Sequence, residues 1–160
     1  MSRYGIATVF EDLPDGYEFM EANTPLHLTH VDVCEVDLKP LEFVKRLRQH
    51  LSNSQSFEVM PTEDALFGPE KDIPVTLIDL NPELKAFHAR LMDFLRLQGA
   101  VLDNPQFHYG LYSPHVSIYG QRRVPLDQPI IIKNVSVGHK RTDIDNPPNR
   151  LIATIPLVSL

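Results

Sequence analysis

The sequence predicts an α+β fold, a mixed or antiparallel sheet with helices packed against it. Three observations predict it. Only two stretches, 41–51 and 84–98, carry apolar residues at helical spacing. Seven others are short runs rich in β-branched or aromatic residues and bounded by turn signals. The two kinds alternate as β, β, α, β, β, α, β, β, β, which reads as an internal duplication. At 160 residues and 42% hydrophobic content, the chain (1–160) suits one domain that buries a core without disulfide or metal support.

The elements follow in order. Residues 5–10 are an apolar strand. Residues 11–23 are polar, with Pro14-Asp15-Gly16 as a turn signal, and read as a loop. The second strand is 26–36. Alternation places His27, Thr29, Val31 and Val33 on one face and Leu28, His30, Asp32 and Cys34 on the other. Lys39-Pro40 opens the first helix, because proline is tolerated in a first turn. A strand at 54–60 leads into an irregular stretch through Thr62, Gly68 and Pro69, then a strand at 73–80. Asn81 as N-cap and Pro82 as first helical residue open the second helix, and Gly99 ends it. Residues 102–113 form a loop dense in aromatics. Strands at 114–120, 129–139 and 150–158 complete the chain, with a turn region at 140–149.

Composition narrows the function. A net charge of -6 argues against broad binding to duplex nucleic acid. The charge is uneven: residues 115–160 carry about +3 and the remainder about -9, which suits a small anionic ligand better than a long polyanion. The single cysteine, Cys34, forbids an intrachain disulfide and points to a reducing, cytoplasmic setting. No apolar run approaches the roughly 18 residues of a membrane span, and the N-terminus has no signal-peptide pattern, so no membrane partner is expected. Neither a P-loop nor a dinucleotide fingerprint is present.

Two stretches carry the chemistry, His27-Leu28-Thr29 and His115-Val116-Ser117, 88 residues apart, each on a strand and each with a proline just upstream. One His-x-Ser/Thr carries little information. Two copies, each with its polar pair on one strand face, predict a cleft lined by two imidazoles and two hydroxyls. An imidazole titrates near neutral pH and serves as acid or base on a phosphate ester. His27 and His30 fall on opposite faces and cannot share a metal; Cys34 reads as core.

The pair resembles the signature of the 2H phosphoesterase superfamily, which includes the RNA 2′,5′-ligase-like cyclic phosphodiesterases. The resemblance rests on Leu26-His27-Leu28-Thr29, on Pro114-His115-Val116-Ser117-Ile118, and on the order of elements along nearly the whole chain. The strand pair at 130–137 and 151–157 also resembles the family's closing strands. The resemblance implies a bilobal, pseudo-twofold arrangement, with helices on the outer faces and a central cleft. It implies hydrolysis of a cyclic or 2′,5′-linked nucleotide, or of an RNA-end phosphodiester, with no cofactor and no metal. His27 and His115 then share the acid and base roles, in an order the sequence leaves open. Thr29 and Ser117 donate to the non-bridging oxygens, at about 2.7–4 kcal/mol per donor. A module that binds a nucleotide or RNA terminus without turning it over is the alternative.

Three further residues are candidate substrate contacts. Tyr119 shares the face of His115 and Ser117, Tyr112 in the preceding loop is placed to act as a lid, and Arg122 is suited to pair with phosphate. One departure from the family pattern stands out. His30 occupies a normally aliphatic position on the packed side, so its buried imidazole requires a partner, either Asp32 or a group from a helix.

Overall fold

A computed structural model describes residues 1–159. Its centre is a nine-stranded sheet built from β1 (Ser2–Val9), β2 (Glu18–Phe19), β3 (His27–Val36), β5 (Pro61–Phe67), β6 (Ile73–Ile78), β7 (Val101–Leu102), β8 (His115–Ser117), β10 (Asn134–Lys140) and β11 (Asn149–Pro156). The strand order is β2-β11-β10-β1-β3-β8-β6-β5, with β7 paired beside β3. A separate ribbon joins β4 (Phe57–Val59) to β9 (Ile130–Ile132). Every pairing of named strands is antiparallel. The α+β class expected from the sequence is the one observed.

Two helices, α1 (Pro40–His50) and α2 (Pro82–Leu97), pack on one face of this sheet. Both begin with proline, and the Asn81 side chain accepts the Leu84 N–H at 2.9 Å, as an N-cap does. The α2 stripe buries Leu84, Phe87, Leu91, Met92, Phe94 and Leu95. Phe43 of α1 stacks on Tyr4 of β1 at 3.9 Å and meets Phe94 of α2 edge-on at 5.6 Å. Tyr4, Phe43 and Phe94 are each about 1% exposed or less, so this aromatic column is the centre of the core.

The structure departs from the expected elements where local pattern is weakest. Residues 61–67, expected to be irregular, form the edge strand β5, whose Thr62, Glu63 and Asp64 are exposed. Charge on an edge strand blocks pairing with other chains and hides the alternation that marks a strand. The expected strand at 129–139 is two strands in different sheets, broken at Lys133, whose carbonyl accepts the Leu157 N–H at 2.9 Å. The 11–23 loop contains the two-residue β2, and the second motif-bearing strand shortens to His115–Ser117.

The most consequential departure lies in β3. Tyr4 pairs with Cys34, Ile6 with Val31 and Ala7 with Thr29, so β3 takes up two extra residues against β1. Strict alternation fails between His30 and Val33. Val31, expected beside His27, is buried at 1% exposure next to the already buried His30. Asp32, expected on the packed face, lines the open side instead.

No helix among the described residues is long and apolar enough to cross a membrane.

Candidate active site at the junction of the motif strands

The two motifs meet where β3 pairs with β8. Leu28 faces Val116, and both are buried in the core. Antiparallel register then places His27 beside Ser117 and Thr29 beside His115, all four on the opposite face. Directly opposed residues bring their Cβ atoms to about 4.5–5.5 Å, and diagonal ones to about 7–8 Å. The two histidines are such a diagonal pair, with a hydroxyl beside each.

The two imidazoles are oriented in the same way. His27 Nδ1 lies 2.7 Å from the Pro25 carbonyl oxygen, and His115 Nδ1 lies 2.9 Å from the Ser113 carbonyl oxygen. A carbonyl only accepts, so each Nδ1 carries a hydrogen and donates it. That leaves each Nε2 as the nitrogen free to take or give the reacting proton. Burial pulls the His27 imidazole below its ordinary value; the Pro25 hydrogen bond opposes this, and the nearby His115 adds to the lowering. Phe67 of β5 packs edge-on against the His115 ring at 4.7 Å. Sequence reasoning missed that support because β5 does not read as a strand.

Between Leu28, which pairs with β8, and Cys34, which pairs with β7, β3 has no paired strand on that side, and side chains from α2 and the aromatic loop serve it there. The Tyr112 hydroxyl donates to the Thr29 carbonyl at 2.7 Å. His88 Nδ1 donates to the His30 carbonyl at 2.8 Å, and His108 Nε2 accepts the Asp32 N–H at 3.2 Å. The other nitrogens of these rings are also engaged: His88 Nε2 accepts the Tyr109 N–H at 3.0 Å, and His108 Nδ1 donates to the Asn104 carbonyl at 2.9 Å. Each ring is thus held as one neutral tautomer, and burial lowers the His88 imidazole further.

Tyr112 is therefore not a lid. Its ring stacks on His88 at 4.0 Å, and burial raises its hydroxyl well above the ordinary value, so it stays a donor. Its place is behind the site, holding Thr29. The partner of His30 is likewise neither Asp32 nor a helix side chain. Its Nε2 lies 2.7 Å from Thr8 Oγ1 of β1, which itself donates to the Asn134 carbonyl at 2.8 Å. Thr8 can then only accept from His30, which leaves His30 Nδ1 as a buried acceptor without a partner.

Arg122 is engaged too. Its guanidinium stacks over Tyr119 at 5.1 Å and donates to Glu11 at 3.4 Å and to the Thr24 carbonyl at 3.2 Å. Glu11 in turn accepts the Leu26 N–H at 3.1 Å. The residue expected to grip phosphate instead ties the turn after the second motif to the segment leading into the first. Tyr119 forms the other half of that turn, exchanging backbone hydrogen bonds with Arg122. Cys34 is 1% exposed and burial pushes its thiol up to about 12, as befits a core residue. Among the described residues no three His, Cys, Asp or Glu side chains converge on a metal-sized site.

Comparison with known proteins finds likeness in structure alone. No family model matches the sequence, and no curated protein matches it. A crystal structure described as a phosphoesterase covers 99% of both chains with a TM-score of 0.60 at 11% identity. TT0787 of Thermus thermophilus covers 98% of both at 0.58 and 14%. E. coli LigT, in its complex with 3′-AMP, covers 98% of both at 0.57 and 13%. The chain has the fold of these proteins from end to end.

Proposed function

We propose that this protein is a phosphodiesterase of the 2H type, which hydrolyses a cyclic or 2′,5′-linked nucleotide, or an RNA-end phosphodiester, by two-histidine acid–base catalysis. The observation that carries the reading is the matched pair His27 and His115. Both donate from Nδ1 to a carbonyl two residues upstream, and both leave Nε2 for the reaction. The phosphoesterase fold supports it, and the nucleotides named with E. coli LigT, 3′-AMP, NADP+ and ATP, support a nucleotide ligand.

In this reading His27 is the base in the hydrolytic direction, because burial and its neighbour both favour its neutral form. His27 Nε2 takes the proton of the attacking water as the water oxygen bonds to phosphorus. His115 Nε2 gives its proton to the departing ester oxygen as that P–O bond breaks. Thr29 and Ser117, one beside each imidazole, donate to the non-bridging oxygens as charge builds there, at about 2.7–4 kcal/mol each. No metal or cofactor takes part in the proposed mechanism.

The test is hydrolysis of 2′,3′-cyclic nucleotides. His27→Ala and His115→Ala should each lower kcat by about 10²–10⁴-fold with the melting temperature preserved. The wild-type pH–rate profile should be bell-shaped and unaffected by chelator. Full activity in either variant would overturn the assignment. Tight binding of the same compounds without turnover would establish a binding module.

A further inference from the structure

We propose that the cavity beside His27 and Thr29 seats the base of the nucleotide whose phosphate lies between the two histidines, an inference that rests on the functional reading above. The cavity holds about 370 Å³. It borders His27 and Thr29 but not His115, so it leads away from the reacting centre across β1, β10 and β11.

Register lays out its floor. Thr29 neighbours Ala7, which neighbours Ser136, and Gly5 lies opposite Gly138 one step further along the same face. Two residues of strand advance about 6.6 Å, so the Gly5–Gly138 pair lies one sugar's reach from the Thr29 row. Neither glycine is demanded by the backbone, since neither has a positive φ. Neither is demanded by packing: a Cβ on Gly138 would meet only the Gly5 carbonyl, at 3.9 Å, and one on Gly5 only the Val31 carbonyl, at 3.9 Å. Glycine inside a strand is costly, and it recurs where a ligand approaches the backbone closely. Here the pair keeps a flat patch of sheet bare inside a cavity.

The surroundings of that patch suit a planar ring with polar edges. Phe19 of β2 supplies an aromatic wall, and Leu151 of β11, opposite Gly138, an apolar one. Aromatic walls hold any base through its π-face. At the far end Asn149, which pairs with Phe19, brings an amide, and Lys140 brings an ammonium. Among the described residues Lys140 has no ion-pair partner. Both are donors toward the carbonyl oxygens and ring nitrogens of a base edge.

Calorimetric binding of adenosine 3′-monophosphate, with inorganic phosphate as the base-free probe, tests this. Gly138→Val should weaken nucleotide binding at least about tenfold by filling the floor, and Phe19→Ala by a similar factor. Phosphate binding should stay within twofold in both. Should Gly138→Val fail to fold, Phe19→Ala decides. Unchanged nucleotide affinity in a folded variant, equal losses for nucleotide and phosphate, or no nucleotide binding by the wild type would each overturn the proposal. Turnover separates it from the functional reading. A wild type that binds the nucleotide in a Gly138-sensitive way yet hydrolyses no cyclic nucleotide keeps the cavity and loses the enzyme. An active wild type whose KM is unmoved by Gly138→Val keeps the enzyme and loses the cavity.

Discussion

Replacing His30 with leucine should make the protein resist acid. His30 is fully buried, packs edge-on against Phe87 at 5.1 Å, and has one nitrogen bonded and the other unpartnered. Burial first, and the neighbouring His88 second, push its imidazole down to about 3. An unfolded histidine titrates near 6.5. Below that pH the unfolded chain binds a proton that the native chain refuses, so stability is full above about 6.5 and falls as pH drops toward 3. One pH unit corresponds to about 1.4 kcal/mol, so at pH 5 His30 alone costs about 2 kcal/mol, a large share of a typical 5–15 kcal/mol. His27, His88 and His139 are also lowered in the fold and add to the wild-type loss. The lowered carboxyls of Glu42, Asp64 and Asp143 act only at more acid pH. The difference between wild type and His30→Leu therefore isolates His30. Urea unfolding at pH 7 and pH 5 measures it: His30→Leu should lose about 2 kcal/mol less than wild type over that interval. Equal losses in the two proteins would refute the reasoning.

Two further outcomes follow from the supports of the site. Tyr112→Phe removes the hydroxyl that holds the Thr29 carbonyl and should lower stability by about 1 kcal/mol. It should also reduce kcat on a cyclic nucleotide several-fold with KM little changed, whereas a lid would move KM; denaturant melts and steady-state kinetics check both. Arg122→Ala should lower stability by less than about 1 kcal/mol, because the clasp is partly exposed, and should leave the affinity for inorganic phosphate unchanged. A large loss of phosphate affinity would restore Arg122 to the direct contact expected from the sequence.

The sequence made legible what local rules control. Pro82 and Asn81 announced α2, since the cap is a contact between neighbours in the chain. His27 and Thr29, and His115 and Ser117, share a face because period-two alternation holds in these short runs. Their mutual approach followed from having two copies of one pattern. What stayed hidden depends on distant partners. Nothing local in His30–Val33 marks the bulges, which arise from pairing with β1. The sequence suggests a lid at Tyr112 and a phosphate contact at Arg122 because their partners, His88 with Thr29 and Glu11 with Thr24, lie far away in the chain. Thr8 could not be found as the mate of His30 without knowing that β1 lies beside β3.

The gap along β3 between its pairing with β8 at Leu28 and with β7 at Cys34 explains why so many histidines and aromatics cluster behind a site that uses only two imidazoles. A strand flanked on both sides satisfies its carbonyls and amides through its neighbours, and a span without a neighbour leaves some unpaired, at about 1–3 kcal/mol for each buried orphan. Here Thr29, His30 and Asp32 are served instead by Tyr112, His88 and His108. Tyr112 and His108 lie on the loop that runs through Ser113 into His115, and Ser113 is the residue whose carbonyl orients that second imidazole. The groups that repair the first motif strand therefore also fix the approach to the second. On the other side Arg122 and Glu11 hold the segment that carries Pro25, whose carbonyl orients the first. The pairing of Leu28 with Val116 sets the two histidines side by side, and each ring is then aimed by a backbone segment anchored to the other motif strand or its turn.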